Sequence, residues 1–381
     1  MFESKNCTNT TTVSANPLRR SALAAGVALV AGAMASPTFA GVEFESDNGW
    51  KAGFNGHIPI FAVLGDFDDA DEDTFSITTG FNPATLQTNV YAPSQNGIEV
   101  SGHFQMNTNI TAGDPGSDFR SRVAEIAVAG DFGTVNIGKG FGIYGVPAIG
   151  DNGSGLGVGL IPGGPDQGAA TNGRIGNGYF YANFTPRVMY TSNNMGGLQF
   201  KVGFFDPIKP GADVETTTPR IEANVVYSTD MFSLWTSGFT QDVDSKTAAF
   251  DDFTMTGIDF GGSVSLGGLG LRANYGVTQG TGSIVVGGID GSAAAAQEED
   301  ADQWYVESTY DFGRTTLGAS YGEGEYDLKG AGEPDESELT MLFGRYAATD
   351  ALTLMLEYQD YQDEGGFGDY SAIIVGSQLT F

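Results

Sequence analysis

Ser371-Ala372-Ile373-Ile374-Val375-Gly376-Ser377-Gln378-Leu379-Thr380-Phe381 closes the chain as an amphipathic strand. Steps of two place Phe381, Leu379, Ser377, Val375 and Ile373 on one face and Thr380, Gln378, Gly376, Ile374 and Ala372 on the other. Termini fray unless something pairs with them. A closed barrel pairs its last strand with its first, so an intact terminal strand points to an all-β, closed antiparallel barrel.

Working outward, the same alternation recurs in segments of about ten residues along the chain. Ile98, Val100, Gly102, Phe104 and Met106 oppose Glu99, Ser101, His103, Gln105 and Asn107. Ile221, Ala223, Val225 and Tyr227 oppose Arg220, Glu222, Asn224 and Val226. Leu271, Ala273, Tyr275 and Val277 oppose Arg272, Asn274, Gly276 and Thr278; Leu352, Leu354, Leu356 and Tyr358 oppose Thr353, Met355, Glu357 and Gln359. Strands are expected at 50–64, 85–92, 97–110, 119–130, 134–141, 181–191, 198–205, 220–228, 232–241, 255–266, 269–278, 303–311, 314–322, 337–347, 351–360 and 370–381. That is about sixteen, the even count a single-chain bacterial barrel needs.

A soluble sandwich also alternates, so alternation alone does not choose the fold. Connection lengths do. Short turns such as Asp131-Phe132-Gly133, Gly267-Gly268 and Phe312-Gly313 alternate strictly with long connections at 65–84, 111–118, 142–180, 206–219, 242–254, 279–302, 323–336 and 361–369. Tight turns on one side and extended loops on the other mark a transmembrane barrel. Aromatics near strand ends, including Trp50, Tyr91, Tyr190, Tyr227, Tyr310, Tyr346, Tyr358 and Phe381, suit the two hydrocarbon–water boundaries.

The front of the chain is consistent with this. Lys5, Arg19 and Arg20 precede an uncharged apolar run at 21–35, and Thr38-Phe39-Ala40 offers a small-residue cleavage site. Residues 1–40 therefore read as a cleaved signal peptide and 41–381 as one barrel domain. Arg19-Arg20 also permits a twin-arginine reading, although Ser21-Ala22-Leu23 matches it poorly. Cys7, the sole cysteine, lies in the leader, so the mature chain has no disulfide or thiolate chemistry. Removing Glu3, Lys5, Arg19 and Arg20 lowers the 47 acids by one and the 17 bases by three, a net charge near −32. Nucleic acid is excluded as a partner.

From 119 to 205 the chain resembles the general porins of Gram-negative outer membranes. The likeness rests on Arg122-Val123-Ala124-Glu125-Ile126-Ala127-Val128-Ala129-Gly130-Asp131-Phe132-Gly133, on Thr134-Val135-Asn136-Ile137-Gly138-Lys139, and on Arg187-Val188-Met189-Tyr190-Thr191-Ser192-Asn193-Asn194-Met195-Gly196-Gly197-Leu198. Asn193 replaces a proline of the family pattern. The resemblance implies water-filled pores for passive diffusion of small hydrophilic solutes, assembled as a homotrimer in outer-membrane lipid and lipopolysaccharide. It implies that 142–180 folds inward as a constriction loop, with loop charges Asp151, Asp166 and Arg174 facing wall bases Lys51, Arg120, Arg122, Lys139 and Arg187. It also implies that Phe381 is read by the barrel-assembly machinery.

Acids at 66–73, 298–302 and 333–338 sit in long connections, where they favour cations at the pore mouth against the wall bases. They could also bridge lipopolysaccharide phosphates through divalent cations. A substrate-specific channel and a surface adhesin are the alternatives. No cofactor or metal is expected: His57 and His103 are not spaced as a metal pair, and no Ser/His/Asn set for a barrel enzyme can be assembled.

Overall fold

The structure, a computed structural model, describes residues 41–68, 74–110, 119–161, 170–208, 214–247, 250–281, 299–327, 336–364 and 368–381. The proposed leader and Asp166 lie outside them. The strands are β1 (Val42–Glu45), β2 (Lys51–Phe67), β3 (Thr74–Thr78), β4 (Ala84–Tyr91), β5 (Glu99–Thr108), β6 (Phe119–Gly130), β7 (Gly133–Phe141), β8 (Phe184–Thr191), β9 (Leu198–Phe205) and β10 (Val214–Glu215). They continue as β11 (Arg220–Ser228), β12 (Phe232–Ser245), β13 (Phe253–Leu266), β14 (Leu269–Gln279), β15 (Asp300–Phe312), β16 (Thr315–Asp327), β17 (Glu336–Ala347), β18 (Leu352–Asp363) and β19 (Tyr370–Thr380).

Sixteen of these form a closed antiparallel barrel; β1, β3 and β10 are short additions to its rims. Closure runs along the terminal strand, with Thr380 opposite His57 and Tyr370 opposite Phe67. The ladder reaches the last residue: Phe381 and Gly56 exchange backbone hydrogen bonds of 3.0 and 2.8 Å. Below that point β1 takes over the same edge of β2, pairing Val42 to Glu45 with Phe54 to Lys51. The two ends of the described chain therefore lie end to end along one seam.

Side-chain direction follows the sequence period. On β19, Ile373 and Val375 are about half exposed toward the membrane, while Ala372 and Ile374 are buried inside. Among the short turns, Asn96 and Gly97 both adopt positive φ (55° and 76°) between mutually bonded Gln95 and Ile98. That is the Asn-Gly hairpin geometry whose twist matches its flanking strands.

The strands outrun the sequence reading at their outer ends. β12 continues to Ser245, β15 begins at Asp300, β16 reaches Asp327 and β18 reaches Asp363. Apolar alternation stops at the membrane edge, but backbone pairing does not, so charged residues read as loop extend the wall. Asp302 faces Glu325 across one pair, and Glu323 faces Glu338 across the next.

Candidate functional site

The segment 142–183, between β7 and β8, folds into the barrel and lies against its inner wall over the described residues 142–161 and 170–183. Its one helical turn, Asn152–Gly155, is capped by Asp151, whose carboxylate accepts from Ser154 N and Oγ at 2.7 Å each. Tyr179 Oη donates to the same carboxylate at 3.2 Å. Asp151 is thus buried and spent on shaping the loop.

Two kinds of wall hold the loop. On β2 and β17–β19 a patch of inward side chains is apolar: Phe61, Val63, Leu339, Met341, Met355 and Ile374 pack against Val158, Leu160 and Ile161. Over β11–β18, wall carboxylates accept the loop's backbone N–H groups. Glu222 accepts from Ile143 at 2.5 Å and Tyr144 at 3.0 Å. Glu307 accepts from Asn152 N, Asn152 Nδ2 and Gly153 N at 2.8–2.9 Å. Glu357 accepts from Val158 N at 3.2 Å.

Arginines of the same wall balance these acids. Arg220 Nε donates to Glu222 at 2.8 Å, and Arg345 Nη1 donates to Glu357 at 3.0 Å. Arg345 Nη2 also donates to the carbonyls of Asn152 and Gly153. Arg272 donates to Tyr305 Oη at 2.8 Å and to the Pro147 carbonyl, and its guanidinium lies 4.6 Å over the Trp235 ring. Buried ion pairs of this kind persist only where further hydrogen bonds satisfy the charges. Here the loop backbone supplies them.

The residues expected at the constriction are dispersed. Arg174, fully buried, donates to the carbonyls of Asn177 and Leu339 and lies 5.8 Å over the Tyr305 ring. Burial lowers its affinity for its proton, opposed by the nearby Asp151 and Glu307. Arg187 points inward, bonded to Glu125 at 2.8 Å, with its guanidinium in the space that Gly140 leaves open on β7. These two and Asp151 belong to the loop-and-wall interior.

The other four bases do not reach it. Lys51 stands at the short-turn rim, 3.8 and 3.7 Å from Glu43 and Glu45 of β1. Lys139 is opposite Ala124 and Pro186, on the outward face that carries Ile126, Ile137 and Val188. The resemblance assigns it to the lumen, but strand parity turns it the other way. A register irregularity between Gln105 and Met106 leaves Arg122 without a β5 partner, and its guanidinium lies 5.2 Å over the Phe184 ring. Arg120, exposed at the outer end of β6, is opposite the inward Asn107 and so keeps the lumen parity, beyond the loop-and-wall interior.

Sequence reasoning did not single out Glu222, Glu307 and Glu357. The period of two marks each as inward, between outward Ile221 and Ala223, Val306 and Ser308, Leu356 and Tyr358. An inward charge is ordinary in a barrel, so parity alone could not select them.

A family model described as Gram-negative porin matches residues 21–376. The chain belongs to that family. The porin is an outer-membrane channel of Gram-negative type. No curated protein matches it significantly in sequence. Solved structures share its fold at low identity. The outer membrane channel DcaP of Acinetobacter baumannii is 15% identical at TM-score 0.67, over 89% of this chain and 99% of that one. The anion-selective porin from Comamonas acidovorans is 13% identical at 0.66, over 87% and 100%. OmpT of Vibrio cholerae in its trimer form is 12% identical at 0.53, over 87% and 99%.

Proposed function

We propose that the porin passes ions and small hydrophilic solutes by diffusion, with a modest preference for cations. One observation carries the preference: the inward arginines Arg187, Arg220 and Arg345 are each bonded to a carboxylate of the same wall. Lys51, Arg122 and Lys139 stand off the path, Arg174 and Arg272 are bonded to backbone carbonyls, and Lys201 and the exposed Arg120 are the inward bases that remain. Little basic charge is left to oppose the acids of the outer rim, among them Asp66, Asp242, Asp244, Asp300 and Asp327. These five, like Asp302, Glu323, Glu325, Glu336 and Glu338, stand on the outward parity of their strands, and all of them act on the mouth only within a screening length of about 8 Å. The preference therefore weakens as salt rises.

The same reading takes 142–183 as the constriction, with Asp151, Arg174 and Arg187 in its frame and Asp166 outside the described residues. It takes the mature chain to begin at Gly41, which lies close to the Phe54 carbonyl where a larger residue would collide. It takes Phe381 as the assembly signal, homotrimers as the working form, and lipopolysaccharide and the insertion machinery as partners. Reversal potentials across planar bilayers in a KCl gradient test the selectivity. Cation-directed potentials at low salt that decline at high salt are expected; a zero or anion-directed value at low salt refutes the reading.

A further inference from the structure

The first long connection, expected over 65–84, does not stay outside the barrel. β3 and β4 pair with the same edge of β2, Thr78 opposite Phe61 and Thr85 opposite His57. Between those two pairs β2 advances four residues while its partner covers seven. The surplus falls in Thr79-Gly80-Phe81-Asn82-Pro83, which leaves the wall. Pro59 stands opposite this gap. Gly56 exchanges its backbone bonds with Phe381, so the period of two turns Pro59 toward the β3–β4 edge, where it has no N–H to offer.

The excursion runs inward. Thr79 and Gly80 are buried, and a side chain on Gly80, whose φ is 71°, would meet the inward Phe61 ring and the Gly157 carbonyl. Phe81 N donates to the Gly157 carbonyl and Thr171 N to the Gly80 carbonyl, both at 3.0 Å. Asn82 Nδ2 donates to the Gly155 carbonyl, and the Phe81 ring lies against Gly173, 6.4 Å from the Tyr179 ring. These contacts reach both limbs of the 142–183 loop, which bond to each other where Leu160 N donates to the Gly173 carbonyl at 2.7 Å. Phe81 and Asn82 keep part of their surface for the lumen, while Thr79, Gly80 and Pro83 are buried.

We propose that 79–83 is a second constriction segment, in which Phe81 sets the width of the narrow section and Asn82 holds the loop beside it. The proposal rests on the reading of 142–183 as the constriction. The border on this side is uncharged: Phe81, Asn82, Leu156 and Asn172 are partly exposed, whereas the loop's Asp151 and Arg174 are buried. An uncharged aromatic border sorts solutes by size and not by sign. Neutral polyhydroxylated solutes, bulkier than small ions, are the class it limits.

The test combines single-channel records with the swelling of proteoliposomes in neutral mono- and disaccharides, heat-modifiable gel mobility confirming that each barrel is folded. Phe81→Ala should raise the steady conductance and admit the disaccharide faster; Phe81→Trp should lower both. Neither should move the reversal potential, because no charge changes. Asn82→Ala should keep the mean level and make it fluctuate, since one of the three hydrogen bonds between segment and loop is lost. Conductance that does not follow side-chain size at position 81 overturns the width role, and a quiet Asn82→Ala record overturns the holding role. Leu156→Trp, on the lumen face of the loop itself, separates this failure from a wider one, because it narrows the pore if 142–183 is the constriction. Silence at Phe81 beside a narrowed Leu156→Trp channel refutes the second segment alone; silence at both refutes the constriction reading as well.

Discussion

The inward loop rests on two stretches of wall that hold it by different physics. Against β2 and β17–β19 it buries Val158, Leu160 and Ile161 under phenylalanine, leucine and methionine, a contact without direction. Against β11–β18 its backbone donates to Glu222, Glu307 and Glu357, contacts that define position to within hydrogen-bond geometry. The apolar wall keeps the loop inside the barrel; the carboxylate wall decides where. A lumen need not be uniformly polar when part of it is covered by its own chain.

Breaking the carboxylate side should have the largest effect. Glu222→Ala removes two loop bonds and leaves Arg220 buried without its partner, a loss of roughly 3–5 kcal/mol. Guanidinium unfolding in detergent should show that loss, and single-channel records should show an open level that fluctuates. Steady current at native conductance would mean that the apolar wall alone positions the loop.

The apolar side should yield less in position and somewhat less in stability. Leu339→Ala opens a cavity beneath the loop and should lower unfolding stability by about 3 kcal/mol, while the open level stays quiet. Current noise as large as in Glu222→Ala would erase the distinction between the two walls.

Charges outside both walls should matter less again. Replacing Glu323, Glu325, Glu336 and Glu338 by glutamine should move the low-salt reversal potential toward zero without changing stability by more than about 1 kcal/mol, since like charges across strands repel. No movement would place selectivity wholly inside the barrel. Lys51→Ala marks the floor: its pairs with Glu43 and Glu45 are half exposed, and its removal should change unfolding by less than about 1 kcal/mol.

Much of the architecture was legible in the sequence because a barrel strand has one dominant local signal. The period of two assigned faces correctly for Ile373 and Ile374, for Ile221 and Glu222, and for Leu356 and Glu357. The alternation of short and long connections then gave the strand order. The outer ends of β15 and β16 were not legible, because pairing there continues in charged residues that carry no apolar signature.

By itself the sequence determined the number of strands, the face each residue occupies and the length of the loop that turns inward, all consequences of local spacing. Only the tertiary structure decided what the charges do. Glu222 meets Ile143 across 79 residues of chain, and Glu357 meets Val158 across 199. A one-residue irregularity opposite Gln105 and Met106 leaves Arg122 over Phe184. Long-range pairing and register set these positions, and no local pattern records either.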